Sequence, residues 1–325
     1  MVGQRRQGLT ALWCLAPSAL IVGGFHLWPL FYAAWVSLHD WGLAPGPWVG
    51  LANYRELARD PLFRQSLGVT LWYVLGTVPP TLALAYLVAE LLHQPLRGRA
   101  FYRVLFFTPY VVSPVAAAAV WKWVFDSATP PLNHWLARCG LDVPNQVWLL
   151  QPRGVFQLAW EVLGGRWPDA LSGAHWLAGP SLALCCVMAV TVWTSLGFAA
   201  VVLLAGLSQV PGDVLEAARL DGAVGWRLRR HVVWPLLSPT LFFLLIVFTI
   251  RAFQAFNQIY VLTPRGLLGR TSTVTYYIYE TAFMAGGKGP GFGSAVAFVL
   301  LGIILALTAL QFRLLGRRVH YGGRA

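Results

Sequence analysis

The sequence predicts an all-α membrane protein: six transmembrane helices, with a helical elbow on the cytoplasmic side between the fourth and fifth. Three observations predict it. Hydrophobic residues make up 57% of the 325 residues and charged residues 11%, where a soluble domain carries about a quarter charged; the mean hydropathy is +0.60. The apolar residues gather into six runs, at roughly 11–37, 68–91, 104–121, 181–206, 240–262 and 292–312, each near or above the ~20 residues a helix needs to cross the hydrocarbon core. Runs this long are helices and not barrel strands, which alternate over about ten residues, because in lipid the backbone must satisfy its own hydrogen bonds. Lys and Arg sort by side: 13 fall in the short segments 1–10, 92–103, 207–239 and 313 onward, and 10 are spread over much longer loops. That bias places both termini in the cytoplasm and makes residues 1–325 one transmembrane domain. It also explains most of the net charge of +12 without a nucleic-acid partner, which would need a basic patch on a soluble fold.

The elements follow in chain order. Arg5 and Arg6 precede the first run as a signal peptide's basic region would. The run is much longer than a ~7–15-residue signal core, and no clear small-residue cleavage site follows, so it reads as a retained helix. In "VGLANYRELARDPLF" (49–63) the expectation is a short outer-surface helix capped by Asn53. The third run contains Pro109 and Pro114, each of which removes a backbone hydrogen bond and predicts a kink, while Ala116 to Ala119 offer a smooth face for close helix packing. The outer segment between the third and fourth runs holds Trp135, Trp148, Trp160, Trp167 and Trp176, with "GVFQLAWEVL" (154–163) as a short amphipathic helix. Trp favours the headgroup region, so this segment lies on the outer interface or docks an outer partner. On the cytoplasmic side, 208–220 reads as a helix with Pro211 in its first turn and Asp213 and Glu216 as a capping box. Gly222 stops it, and 224–234 forms a second helix that Pro235 ends or kinks. The result is a rigid elbow tied to membrane helices at both ends, in the loop 207–239.

Several chemistries lack their residues. "GGKGPG" (286–291) has the wrong spacing for a P-loop and no Ser or Thr after the lysine, so this chain does not bind ATP that way. No metal-ligand, nucleophile-elbow or zinc-type pattern occurs, and the four cysteines are spread as packing residues. The sequence therefore offers no catalytic residue, metal ligand or cofactor site. Arg251 is the one charge well inside a span, with Glu90 at a helix end. An ion-coupled secondary transporter, the alternative considered, usually carries acids or His in mid-membrane and often an inverted repeat, and neither is visible.

The spacing E-A-A, three residues, G, then an apolar-x-apolar-Pro ending, is met by Glu216, Ala217, Ala218, Gly222, Val232, Trp234 and Pro235. It resembles the signature of the permease subunits of bacterial ABC importers, and "EAARLDGA" resembles the carbohydrate-type form. "GLANYRELARDPLF", "RGRAFYRVLFFTPYVVSPVAAAAVWKWVF", "FQAFNQIYVLTPRG" and "TYYIYETAF" extend the resemblance over nearly the whole chain, which is most similar to the first permease of maltose-type and glycerol-3-phosphate-type systems. The resemblance implies a non-catalytic inner-membrane subunit. It implies that about 211–235 form coupling helices, with Glu216, Ala217, Ala218, Asp221, Gly222 and Pro235 as the coupling set. Its implied partners are an ABC ATPase dimer, a second permease and an extracytoplasmic solute-binding protein. The chain departs from the pattern in having Arg229 where Phe is usual, Asn257 where Asp is frequent, "LTPRGLLGRTS" in place of a glycine-rich turn, and a longer 145–180.

For the substrate, aromatic rings with amides and hydroxyls suit a sugar or polyol. The candidate pathway residues are Arg251, Phe253, Gln254, Phe256, Asn257 and Tyr260 in the fifth run and Trp193 in the fourth, beside Thr194 and Ser195. Few charges face this path, which suits a neutral sugar; Arg251 would instead meet the phosphate of a glycerol phosphate.

Overall fold

The computed structural model describes residues 13–42, 44–95, 97–125, 131–140, 147–168, 177–267 and 269–316. Arg5, Arg6, Trp176 and the tail arginines 317, 318 and 324 lie outside them. The described chain is helical, with two isolated bridges, His39–Trp48 and Gly154–Ser181, and no strand among the described residues. Five helices are long and apolar enough to cross a membrane, or six if one bent pair is a single span. By contact the chain divides into two compact units, 1–60 with 278–302, and 61–277 with 303–325.

In the first unit, α1 (Trp13–Val36) contains a π-turn at Gly23–Leu27. α2 (Ala52–Arg59) follows a short loop. Asn53 does not cap α2: it lies inside the helix, and its Nδ2 donates to the carbonyls of Ser37 (2.9 Å) and His39 (3.0 Å), pinning α2 to the end of α1. The "GGKGPG" stretch is a structural clamp. Lys288 Nζ donates to Glu56 Oε1 and Asp60 Oδ2, each at 2.8 Å, and sits 4.2 Å from the Phe292 ring centroid. Burial lowers the Lys288 pKa, but the hydrogen bonds and charges of Asp60 and Glu56 outweigh it and leave the value above the ordinary lysine range. A raised lysine pKa stabilises below the ordinary value and loses that stabilisation as pH climbs through the folded value. Wild type should therefore keep α2 protected from trypsin at Arg55 and Arg59 from neutral to moderately alkaline pH. Lys288→Met should expose it at neutral pH, leaving the 5%-exposed Asp60 carboxylate without this ion pair at a cost of roughly 1–3 kcal/mol. Equal cleavage of the two proteins would contradict this.

The second unit carries the main core. α3 (Pro61–His93) and α8 (Leu182–Ser208) pack along their length, joined by α10 (Trp226–Phe253). Tyr73, Leu184, Val187, Leu203, Leu237 and Leu244 fill the space between them and are almost fully buried. The third apolar run is broken at Pro114, where α4 (Arg99–Val111) and α5 (Pro114–Phe125) meet at 95°, while Pro109 is carried inside α4. Val112 is extended (ψ 140°), the conformation left open before the break, and Pro114 opens the new helix where no N–H is needed. Ala117 and Ala118 of the expected smooth face are buried, and α5 packs against α11 (Asn257–Leu262). The remaining helices are α6 (Pro131–Arg138), α7 (Val155–Val162), α9 (Gly212–Leu220), α12 (Val274–Phe283) and α13 (Pro290–Leu314). α7 coincides with the expected interfacial helix.

Gly197 on α8 is what lets α4 approach. A Cβ there would meet the Phe106 carbonyl oxygen at 2.1 Å and Phe107 Cα at 2.8 Å, both backbone. Gly197→Leu should force the helices apart at about 1–3 kcal/mol or more, read as a lower unfolding midpoint in detergent; an unchanged midpoint would contradict the close approach.

The fifth apolar run departs from expectation twice. It is expected to span 240–262 as one helix, yet α10 stops at Phe253 and α11 resumes at Asn257. The carbonyls freed by the break are satisfied by side chains from later in the chain: Thr275 Oγ1 donates to the Phe253 carbonyl and Thr273 Oγ1 to that of Ala255, both at 3.0 Å. Irregular backbone at such a place survives only where protein groups replace the lost bonds or a cavity adjoins it. At the other end Pro235 does not end the helix, which runs from Trp226 to Phe253. A π-turn at Arg229–Val233, closed by the Trp234 N–H on the Arg229 carbonyl, joins residues 226–228 to the rest of α10.

Candidate functional site

A cavity of about 240 Å³ lies in the second unit. Both helix breaks border it. The α4–α5 break contributes Pro109, Tyr110, Val112 and Pro114, and the α10–α11 break contributes Gln254, Ala255, Phe256, Asn257 and Gln258. Discontinuous membrane helices put backbone dipoles and polar side chains at mid-depth, where a continuous helix would present only its apolar surface. The wall is completed by Tyr73, Thr77, Val78 and Thr81 of α3 and Thr191, Thr194 and Ser195 of α8.

Much of the polar lining is ordered. Thr191 Oγ1 donates to the Val187 carbonyl (3.0 Å), so the Tyr73 hydroxyl, 2.7 Å away, donates to Thr191. Thr77 and Thr194 bond back to carbonyls of their own helices. Among the described residues, Arg251 is the only charged side chain on the wall. It lies in the last turn of α10, where the helix dipole favours a cation. Its guanidinium carbon is 5.5 Å from the Phe198 ring centroid, and Nη1 donates to the Tyr110 hydroxyl at 3.5 Å. Tyr110 and Phe198 stack at 4.9 Å. The cation is thus braced by a ring face and a phenol, neither of which neutralises it.

Of the expected pathway residues, Arg251, Gln254, Phe256 and Asn257 meet on this wall, with Thr194 and Ser195. Phe253 points into the core and is 1% exposed. Tyr260 lies beyond the wall and stacks on Phe256 at 5.3 Å, and Trp193 packs edge-on to Trp121 at 5.5 Å. The α3 contribution was not anticipated. Its signal is present: Tyr73, Thr77 and Thr81 recur at i, i+4, i+8, a polar stripe along one face of an apolar helix.

The elbow is the second feature. α8 ends at Ser208 and α9 starts anew at Gly212, so the helix expected over 208–220 begins four residues later. Pro211 occupies the N-cap position, which leaves no capping box; Asp213 instead acts on the helix dipole from the first turn. The stop is as expected. Gly222 has φ +79°, the Ala223 N–H reaches the Ala218 carbonyl (2.9 Å) and the Gly222 N–H that of Arg219 (3.0 Å), a Schellman end. Glu216, Ala217 and Asp221 are exposed, Ala218 is partly covered, and Leu220 (89% exposed), Val224 and Trp226 stand out beside them. Pro235 lies inside α10, away from that tip. Arg229 forms an ion pair with Glu90 near the end of α3.

The sequence matches the family described as binding-protein-dependent transport system inner membrane component over residues 81–321. The chain belongs to that family. This transport component is similar along almost its whole length to the sn-glycerol-3-phosphate transport system permease protein UgpA of Agrobacterium fabrum, at 32% identity covering 95% of each chain. Its fold is that of a chain in a bacterial alginate ABC transporter solved in complex with an alginate pentasaccharide-bound periplasmic protein, with TM-score 0.76, 17% identity, and 100% and 99% of the two chains covered. A second chain, from an ABC transporter involved in import of the acidic polysaccharide alginate, gives TM-score 0.71 at 19% identity over 96% and 99%. The transport component is thus a multi-pass inner-membrane subunit and not an enzyme; in this family ATP is hydrolysed by a separate ATPase.

Proposed function

We propose that this subunit forms half of the translocation pathway of an ATP-driven importer for an anionic polyol or sugar of the glycerol-phosphate class. Both termini lie in the cytoplasm. A second permease supplies the other half, an extracytoplasmic solute-binding protein delivers the substrate, and an ABC ATPase dimer docks on the elbow at about 211–235. Closure of the ATPase pulls the elbow, and the helices that bear the cavity exchange inward-facing for outward-facing access.

The observation that carries the substrate class is Arg251: one cation on the wall of a cavity whose other described lining residues are uncharged. A guanidinium presents a planar fork of donors that matches phosphate and carboxylate oxygens. The hydroxyls of Tyr110, Thr194 and Ser195 and the amides of Gln254 and Asn257 provide the additional donors and acceptors a polyol backbone needs. The relatives named for sn-glycerol 3-phosphate support this reading.

The test is uptake of labelled sn-glycerol 3-phosphate by cells producing the whole transporter, competed with glycerol 2-phosphate, glycerol and a neutral disaccharide. The proposal expects competition from the phosphate ester only. Competition by the disaccharide, with none by the phosphate ester, would instead support the neutral-sugar reading.

A further inference from the structure

We infer that the Glu90–Arg229 ion pair is a strut that makes α3 move with the elbow, so that the elbow drives a third wall of the cavity besides those on α8 and α10, the helices continuous with it. The inference rests on the importer reading above and goes beyond it, because it names how the motion reaches a helix that is not continuous with the elbow.

Arg251 needs no strut. It stands on the same unbroken helix as the elbow's second half, 226–253, about 33 Å from Arg229 at 1.5 Å per residue. α3 is different: along the chain it is separated from the elbow by α4 through α8. α3 packs on α10 within the core, and two side-chain contacts tie it to the elbow end of that helix. Arg229 Nε donates to Glu90 Oε1, and one turn further along α3 the Tyr86 ring meets Trp234 edge-on at 5.9 Å between centroids. Trp234 in turn meets Trp226, at the start of the elbow helix, at 4.9 Å.

The π-turn is what makes both contacts possible. Residues 229 and 234 are five apart, and at 100° per residue an α-helix would put them about 140° away from each other. The π-turn closes the Trp234 N–H on the Arg229 carbonyl and brings the two side chains to one face. That face meets Tyr86 and Glu90, four apart on α3 and therefore also on one face. Glu90 stands in the last turn of α3, where the helix dipole disfavours a carboxylate, so Arg229 answers a charge that the helix itself does not. The pair is partly exposed, with side-chain accessibilities of 42% and 25%. Such pairs add little to stability; its value is geometric. Thr81 lies nine residues back along α3, about 14 Å from Glu90, and lines the cavity.

The test uses the full chain with its sister permease and ATPase in proteoliposomes, with Cys14, Cys139, Cys185 and Cys186 changed to serine. Thr81→Cys on α3 and Asn257→Cys beyond α10 are made separately as reporters. The labelling rate of each with a small methanethiosulfonate is read with and without MgATP. With the pair intact, both reporters should respond. Glu90→Gln or Arg229→Gln should keep the response at 257 and cut that at 81 by roughly fivefold or more, the lower end of typical coupling between sites. The reversed pair, Glu90→Arg with Arg229→Glu, should restore it. An unchanged response at 81 in the single variants overturns the strut, as does a reversed pair no better than the singles or a loss at both reporters together. No response to MgATP at either reporter with the pair intact removes the importer reading itself, a failure distinct from that of the strut.

Discussion

Replacing Arg251 with methionine should cut transport of the anionic substrate by roughly 10- to 100-fold, the loss of a charge-assisted hydrogen bond of about 1.5–3 kcal/mol. Methionine keeps the length and apolar volume of the stem and can still lie against Phe198, so the cavity should keep its shape. Arg251→Lys keeps the charge but not the planar fork, and should fall between the two. The readout is the concentration dependence of uptake. A phosphate contact predicts that Arg251→Met weakens the phosphate ester against a neutral analogue. If both analogues lose equally, Arg251 shapes the cavity and does not recognise the anion.

Glu216→Lys should break the assembly from the other side. Glu216 lies on the exposed face of α9, four residues before Leu220 and therefore on the same side of the helix. A charge next to exposed apolar groups is the composition of a docking tip. Reversing a charge that is buried and bonded in a complex costs at least about 2 kcal/mol, roughly 30-fold in affinity. The ATPase should then be lost on purification in mild detergent while the second permease stays bound. Retention of the ATPase by Glu216→Lys would place the docking contact elsewhere.

The spans were legible because the bilayer imposes a length and a composition that 57% hydrophobic residues cannot satisfy in another way. The break at 112–113 was legible too, because Pro114 removes a specific hydrogen bond; Pro109, which promises a second kink, is carried inside α4. The break at 254–256 was not. Nothing in "RAFQAFNQIY" interrupts a helix by its own propensity; the interruption is held by Thr273 and Thr275, 18 and 22 residues away from the carbonyls they serve. Half of the candidate pathway depends on that tertiary event. It turns Gln254 and Asn257 to the cavity while Phe253 stays in the core. The elbow shows the converse: Pro235 signals a stop, and the π-turn overrides it.

The central claim is that this subunit moves its substrate only when an ATPase drives its elbow. Uptake of labelled sn-glycerol 3-phosphate into proteoliposomes tests it most directly. The vesicles would hold the chain, its sister permease and the ATPase, with binding protein outside, and ATP inside or absent. The account predicts uptake with internal ATP, none without it, and none with Glu216→Lys. Uptake that runs without ATP or ATPase and follows an imposed ion gradient would contradict it and favour the ion-coupled alternative.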